Sequence, residues 1–424
     1  MIVKNEEHYL QGCLASARPF VDEIVIVDTG STDATVEIAK KYGAKIFTFA
    51  WTGNFSSARN ESLKHSTGDW ILYLDADERI IDGGQLKKLV SNQQIWAYTL
   101  LVSGKVNLPS GTVDQVMAYP RLFRRHPKIQ FEGHVHEQIT PSIIRFGKKI
   151  VCSDAVIEHL GYGVSVDVNI EKTKRNIVLL KKQLEKQPND EYAKYQLGNS
   201  HVVLKEYDQA EPLLQSIVRS SILANSIKSS IYNLFVEIAL SKNDYDEAEQ
   251  CCRNSLKIIP AQTMARWFLS GITAKCGKYE DSLSIINELR SNLRHTSKLA
   301  YDLVLNENQI RERELYCYEM LSREALQRSD PDDAYRWVNE AERKKILSLP
   351  LQRRGLEIAL SRRDISSACS KLEYVINNLP EESVALRDKF KILQGKLIKF
   401  QAVSSSSTHS HTKNLTETAA VHMQ

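Results

Sequence analysis

The feature that most constrains this chain is a change of period near residue 165. Before it, short apolar runs alternate with helical stretches; after it, strand signals fade and helical periodicity takes over. A helical stretch over 7–17 leads to the strand EIVIVD (23–28), then TGSTDAT, a helix over 36–43 ending in Gly43, and the strand AKIFTFA (44–50). SSARNESLKHSTGD (56–69) reads as a helix and turn before WILYLDAD. AYTLLVSG (97–104), MAYPRLFRR (117–125), the polar, His-rich FEGHVHEQI (131–139) and VCSDAVIEHLGY (151–162) follow. Such alternation predicts an α/β, three-layer, Rossmann-like domain with a mostly parallel sheet over residues 1–165.

Residues 166–400 read as an all-α domain with spacings near 34. Tyr245 opens YDEAEQCC, in which small Ala248 is followed by Ser255 and Pro260; Tyr279 repeats the Tyr-x-x-small element 34 residues later and Tyr207 precedes it by 38. The segment 331–350 contributes Ala334, Ala341 and Pro350. Small residues at such positions let paired helices pack closely, so the reading is three to five tetratricopeptide-like repeats, with an irregular helical bundle as the plainer alternative. The polar segment 401–424 predicts a disordered tail, in which His409 and His411 are solvated.

At 424 residues the chain exceeds one ordinary core, and 42% apolar with 25% charged residues is typical of a globular protein. A net charge of +4 is nearly neutral and argues neither for nor against nucleic acid, and no nucleic-acid partner is expected. Seven cysteines without a C-x-x-C pair predict reduced thiols and a cytoplasmic location rather than a disulfide framework or zinc site. No apolar run reaches the ~18 residues that a membrane span requires. Met1-Ile2-Val3 reads as the end of a strand, so further N-terminal sequence is expected before it.

The chemistry centres on WILYLDADE (70–78), where an apolar strand ends in Asp75 and Asp77. Residues i and i+2 of an extended chain point to one side, so both acids are expected to face one Mg²⁺ or Mn²⁺ ion. Asp28 also ends an apolar strand; Ser31 or Asp33 is expected to cap the next helix, leaving Asp28 to accept a nucleobase N–H. Arg59, shortly before the acids, is a cation for a nucleotide or simply a surface helix residue. His134 and His136 would share one face of a strand, with Glu137 on the other as a candidate general base. His159 can complete a metal shell or be a hydrogen-bonded core histidine.

Taken in order, MIVKNEE, EIVIVDTGSTDATVEIA, FSSARN, GDWILYLDADE, RLFRR, GHVHE and IEHLGY resemble the family 2 glycosyltransferases with a GT-A fold. The resemblance covers about residues 1–165. Two branches are most similar: lipopolysaccharide-core glucosyltransferases with a VHE motif, and sublancin-type peptide S-glycosyltransferases, whose helical repeats match this architecture. It implies Asp28 at the nucleobase, Arg59 at the nucleotide, Asp75 at the ribose or metal, Asp77 and His159 as Mn²⁺ or Mg²⁺ ligands, and Asn5 and Glu6 lining the nucleotide pocket. Glu137 would be the base, with His136 or His134 as rivals.

The resemblance implies inverting transfer of a sugar from a nucleoside-diphosphate donor, UDP-linked, to a peptide, protein or glycan acceptor. The resemblance also implies a homodimer through the repeats. Two other readings stand beside it. A sugar-phosphate nucleotidyltransferase needs a Gly-rich basic N-terminal loop, which MIVKNEEHYL lacks. A repeat scaffold with an inactive transferase domain is opposed by the intact set of acids, Arg59 and His159.

Overall fold

The computed structural model describes residues 1–108, 111–160, 166–295 and 307–404. Its first part builds β1 (Ile2–Val3), α1 (Leu10–Ala17), β2 (Val25–Asp28), α2 (Thr35–Lys41), β3 (Lys45–Thr48) and α3 (Phe55–His65). There follow β4 (Trp70–Leu72), β5 (Glu78–Ile80), α4 (Gly83–Val90), β6 (Ala97–Leu108), β7 (Gly111–Arg124), α5 (Thr140–Arg145) and β8 (Ile150–His159). Local chemistry sets several boundaries. Asn54 starts α3 by accepting the Ser57 N–H at 3.0 Å. Gly43 ends α2 at φ +70°, a left-handed position that favours glycine, and donates to Lys40 O at 3.0 Å.

The α/β class holds, but the sheet is less parallel than the alternation predicts. β1, β2 and β3 form a parallel three-stranded sheet. The other strands form a five-stranded sheet in the order β4-β7-β6-β8-β5, in which only β6 and β8 are parallel. The cause is the β6/β7 pairing, which runs antiparallel from Ala97–Phe123 to Leu108–Gly111 and replaces a crossover. Apolar side chains cover both faces of β6: Tyr98, Leu100 and Val102 join Cys13, Leu74, Leu86 and Ile157, while Ala97 joins Ile71, Phe123, Phe131 and Ile143. Val3, Leu10, Leu14, Ile26 and Ala76 form the adjoining core beneath the parallel strands.

All described elements after His159 are helices: α6 (Val166–Lys186), α7 (Glu191–Val203), α8 (Tyr207–Gln215), α9 (Asn225–Ser241), α10 (Tyr245–Ile258) and α11 (Thr263–Lys275). They continue as α12 (Tyr279–His295), α13 (Glu307–Gln327), α14 (Pro331–Arg343), α15 (Leu349–Ser361), α16 (Ile365–Asn378) and α17 (Val384–Ser404). The repeat is carried by one turn. Lys205, Asn243, Gly277, Ser329 and Arg363 all have φ between +57° and +77°, each two residues before a helix start. In each turn the next residue donates its N–H to the carbonyl five residues back, from Glu206 to His201 and from Asp364 to Ala359, for example. This is the hydrogen-bond pattern of a Schellman C-cap. Three residues into the following helices stand Ala210, Ala248, Ser282, Ala334 and Ala368, all fully buried. Ser255 is also fully buried, its hydroxyl 2.8 Å from that of Ser229.

The chain forms two compact units. One contains Met1–Leu269, hence the α/β region and α6–α10; the other contains Ser270–Asn287 and the helices from Glu307 onward. α17 reaches Ser404, so helix persists past residue 401, where a disordered tail is expected; the rest of that segment, with His409 and His411, lies outside the described residues. Among the described residues no helix is long and apolar enough to cross a membrane.

Candidate active site

The Asp-x-Asp segment is a turn rather than the end of an extended strand. β4 stops at Leu72, and Glu78 N–H closes onto Asp75 O at 3.1 Å as β5 begins. The i, i+2 argument for a shared face therefore fails, and the two acids take different partners. Asp75 Oδ1 accepts from Arg59 Nη2 at 2.8 Å, and Asp75 Oδ2 lies 3.4 Å from both terminal nitrogens of Arg121. Burial pushes the Asp75 carboxyl up, but Arg59 and Arg121 outweigh it and hold it well below the usual carboxylate range.

Asp77 is set by strand register. Glu78 pairs with His159 across β5 and β8, and Leu160 N–H reaches Asp77 O at 2.9 Å, extending the contact by one residue. Asp77 Oδ2 consequently lies 3.6 Å from His159 Nε2. Burial lowers His159 below its ordinary value, although Asp77 and Asp75 act the other way, which favours the neutral imidazole a metal needs. Glu6 senses the same acids: burial, then Asp77 and Asp75, push its carboxyl up to about 7. An oxygen and a nitrogen donor within reach of one ion, in a field of excess negative charge, fit a divalent cation. Among the described residues no group of three His, Cys, Asp or Glu side chains could hold an ion unaided, so an ion held by Asp77 and His159 would need further oxygen ligands from outside the protein.

Arg59 is not a surface residue. It is 8% exposed, with its guanidinium 5.1 Å from the Tyr73 ring and 5.6 Å from the Phe131 ring. Besides Asp75 it ion-pairs through Nε with Glu137 Oε1. Asp75 and Glu137 keep this cation charged despite burial, which acts in the opposite sense. Glu137 Oε2 accepts no hydrogen bond among the described residues, so one oxygen orients the carboxylate and the other stays available.

The His-rich stretch is a loop, not a strand, which corrects the expectation that His134 and His136 share a strand face. Gly133 at φ +98° and His136 at φ +53° break the extended conformation, and a single bridge, Glu132 to Gln138, closes the loop. His134 bonds through its backbone N–H and Nδ1 to Gln183, while His136 is exposed. Only Glu137 of this trio contacts Arg59 directly.

The Asn5–Glu7 segment is laced to the loop after β2. Asn5 (φ +56°) donates its N–H to Ser31 Oγ at 3.0 Å and accepts from Thr32 N at 2.8 Å; Glu6 N–H bonds Thr35 Oγ1 at 2.7 Å. The α2 cap differs from the expected one. Its N-cap is Ala34, without a side-chain cap bond, while Asp33 accepts from Thr35 N at 3.0 Å and Glu7 N at 3.1 Å. Asp28, expected to be free of structural duty, is 7% exposed and accepts the N–H groups of Gly30 and Ser31 at 3.1 Å.

Two residues, Glu78 and Arg121, escaped the sequence reading of the site. Glu78 is fully buried, accepting from Arg121 Nη2 at 2.6 Å and from Asp75 N at 2.9 Å, and burial pushes its carboxyl up to about 7. Arg121 lies 4.3 Å from the Tyr73 ring. Arg59, Arg121, Asp75, Glu78 and Glu137 thus form one buried ionic network around Tyr73. The available signal was the motif itself: Glu78 ends WILYLDADE and Arg121 opens RLFRR.

Residues 1–146 match the family model described as Glycosyl transferase family 2. This region is a family 2 glycosyltransferase domain. Over 171 residues the chain is 37% identical to a TPR repeat-containing protein of Synechococcus elongatus, covering 38% of this chain and 41% of that protein. It is 28% identical over 225 residues to the SPbeta prophage-derived glycosyltransferase SunS of Bacillus subtilis, covering 51% of this chain and 52% of the relative. The chain thus spans about half the length, or less, of these curated relatives. Among solved structures, S. aureus TarS 1–349 aligns at a TM-score of 0.34 and 18% identity, over 58% of this chain and 87% of that one. The network around Arg59 lies inside the matched glycosyltransferase domain, whereas His159 and the partner helix α6 lie beyond residue 146.

Proposed function

We propose that this chain is an inverting, metal-dependent glycosyltransferase that moves a sugar from a UDP-linked donor to a peptide or protein side chain. The observation that carries the reading is Arg59, whose single guanidinium bonds both Asp75 and Glu137; Asp75 would face the donor and Glu137 the acceptor. Asn5, Glu6 and Asp28 lie along the loops that would receive the base and ribose. Arg59, engaged by two carboxylates, would act on the nucleotide through Asp75. Asp77 and His159 would hold Mn²⁺ or Mg²⁺, whose chemistry is to offset charge on the departing diphosphate. Glu137, oriented through Oε1, takes the proton of the acceptor nucleophile on Oε2 as that nucleophile bonds to the anomeric carbon. The sugar's bond to the diphosphate breaks on the opposite face, and configuration inverts.

Residues 1–165 would be the catalytic module, and 166–400 a helical module whose repeats suit an extended peptide acceptor or a homodimer contact. Reduced cysteines favour the cytoplasm; all seven are free, four of them buried. The likeness to SunS, itself named a glycosyltransferase, supports the same chemistry here. A panel of UDP-sugars with Mn²⁺, read as UDP release, tests the proposal. Release by the wild type and none by folded Asp77→Ala supports it; release that is unchanged in Asp77→Ala refutes the metal role.

A further inference from the structure

The loop carrying Glu137 has two anchors. On one side, Phe55 N–H at the start of α3 donates to His134 O at 2.8 Å, and α3 also carries Arg59. On the other side the anchor lies outside the matched domain. Gln183 of α6, only 4% exposed, accepts the His134 N–H at Oε1, 2.6 Å away. Its Nε2 donates to Asp190 Oδ2 at 2.7 Å, while Asp190 Oδ1 caps α7 by accepting Ala193 N–H at 2.9 Å. Gln138 Nε2 donates to the Tyr192 hydroxyl at 3.1 Å, and that hydroxyl also accepts from Gln196 at 2.7 Å. Between these bonds Val135 is buried against Ile177, Leu180, Ala193 and Leu197.

Each group has its partner chosen. The Gln183 amide satisfies a backbone donor in the loop and the helix cap at once, so it cannot rotate without breaking both bonds. Gly133 sits where an added Cβ would lie 3.9 Å from Gln183 Nε2, so the left-handed turn and the amide meet at one point. A hydrogen-bonded path therefore runs from the α7 cap through Gln183 to the loop, and through Glu137 to Arg59.

We infer that Gln183 is a positioning residue for sugar transfer, and that the first helices after the glycosyltransferase domain hold the acceptor-activating carboxylate in register. This rests on the reading of Glu137 as the base. Misplacing a catalytic group by about 1 Å can cost on the order of 10²-fold in rate, while groups that only bind the nucleotide are unaffected. The effect expected is thus on turnover, with nucleotide affinity preserved.

The test uses the full chain as wild type and two variants: Gln183→Met, which fills similar volume without the amide, and Gln183→Glu, which keeps an acceptor oxygen. UDP release from UDP-glucose with water as acceptor, UDP affinity in Mn²⁺ and amide exchange at residues 133–138 are measured together. In Gln183→Met, turnover falls at least about tenfold, loop amides exchange faster and UDP affinity is unchanged; Gln183→Glu, whose carboxylate would face Asp190 Oδ2 instead of donating to it, falls as well, again with UDP affinity unchanged. Unchanged turnover, unchanged loop exchange, or equal loss of UDP affinity overturns the inference. If the wild type neither binds UDP nor releases it, the catalytic reading falls first, and the inference with it.

Discussion

Replacing Arg59 by methionine is the sharpest perturbation of this site, because the side chain is buried and bonds two acids. The substitution removes one cation and strands Asp75 and Glu137, with Arg121 alone left to balance Asp75. Breaking a buried ion pair from one side costs about 3–5 kcal/mol. For a unit of this size, each kcal/mol moves Tm by about 2–4 °C, so a drop of roughly 6–20 °C is expected.

The pH dependence follows from the direction of the shifts. In the wild type the Asp75 carboxyl lies below its ordinary value, so its contribution is fully present above about pH 4 and is lost only as pH falls through the folded value. In Arg59→Met burial is less opposed, and the Asp75 carboxyl moves upward. A raised carboxyl contributes stability at low pH that is lost as pH rises through its folded value. The gap in Tm between variant and wild type should therefore be wider at pH 8 than at pH 5. Differential scanning fluorimetry across that range measures it. A drop below about 2 °C, or a gap that does not change with pH, would refute the buried-network argument.

Glu137→Gln should lower kcat about 10²–10⁴-fold while leaving UDP affinity unchanged, measured with the donor identified by the sugar screen. A Cβ at Gly198 on α7 would lie 2.7 Å from Leu214 Cδ2 on α8, so the buried Leu214 must shift for any larger residue; Gly198→Val should destabilise by about 1–3 kcal/mol in a denaturant titration. With chelator present, Glu6→Gln should raise Tm more at pH 8 than at pH 5, because a carboxyl pushed up to about 7 destabilises the fold once ionised; an equal effect at both pH values would contradict that sign.

Much of the architecture was legible because it rests on local pattern. The apolar run into Asp75 and the switch to helical period both survive in the structure. The parallel sheet survives in β1–β3 but not in the second sheet, because sequence around 105–116 is polar and hides the outer half of β6 and β7. The repeat turns were hidden too: only Gly277 of the five left-handed positions is glycine. A surface position stayed open for Arg59 because its partners lie 16 and 78 residues away, a separation no periodicity reports. The Asp-x-Asp turn was missed for a different reason, since an apolar pattern marks a strand but not the residue at which it ends. The structural duty of Asp28 was missed because a carboxylate before a glycine turn has backbone donors that composition cannot reveal.

The most direct test of the central claim is calorimetric titration of UDP into the full chain, with and without Mn²⁺, for the wild type and Asp77→Ala. The account predicts that the wild type binds UDP with Mn²⁺ far more tightly than without it, and that Asp77→Ala loses this dependence while melting at the wild-type temperature. Equal UDP affinity with and without Mn²⁺ in the wild type, or undiminished Mn²⁺ dependence in Asp77→Ala, would contradict it.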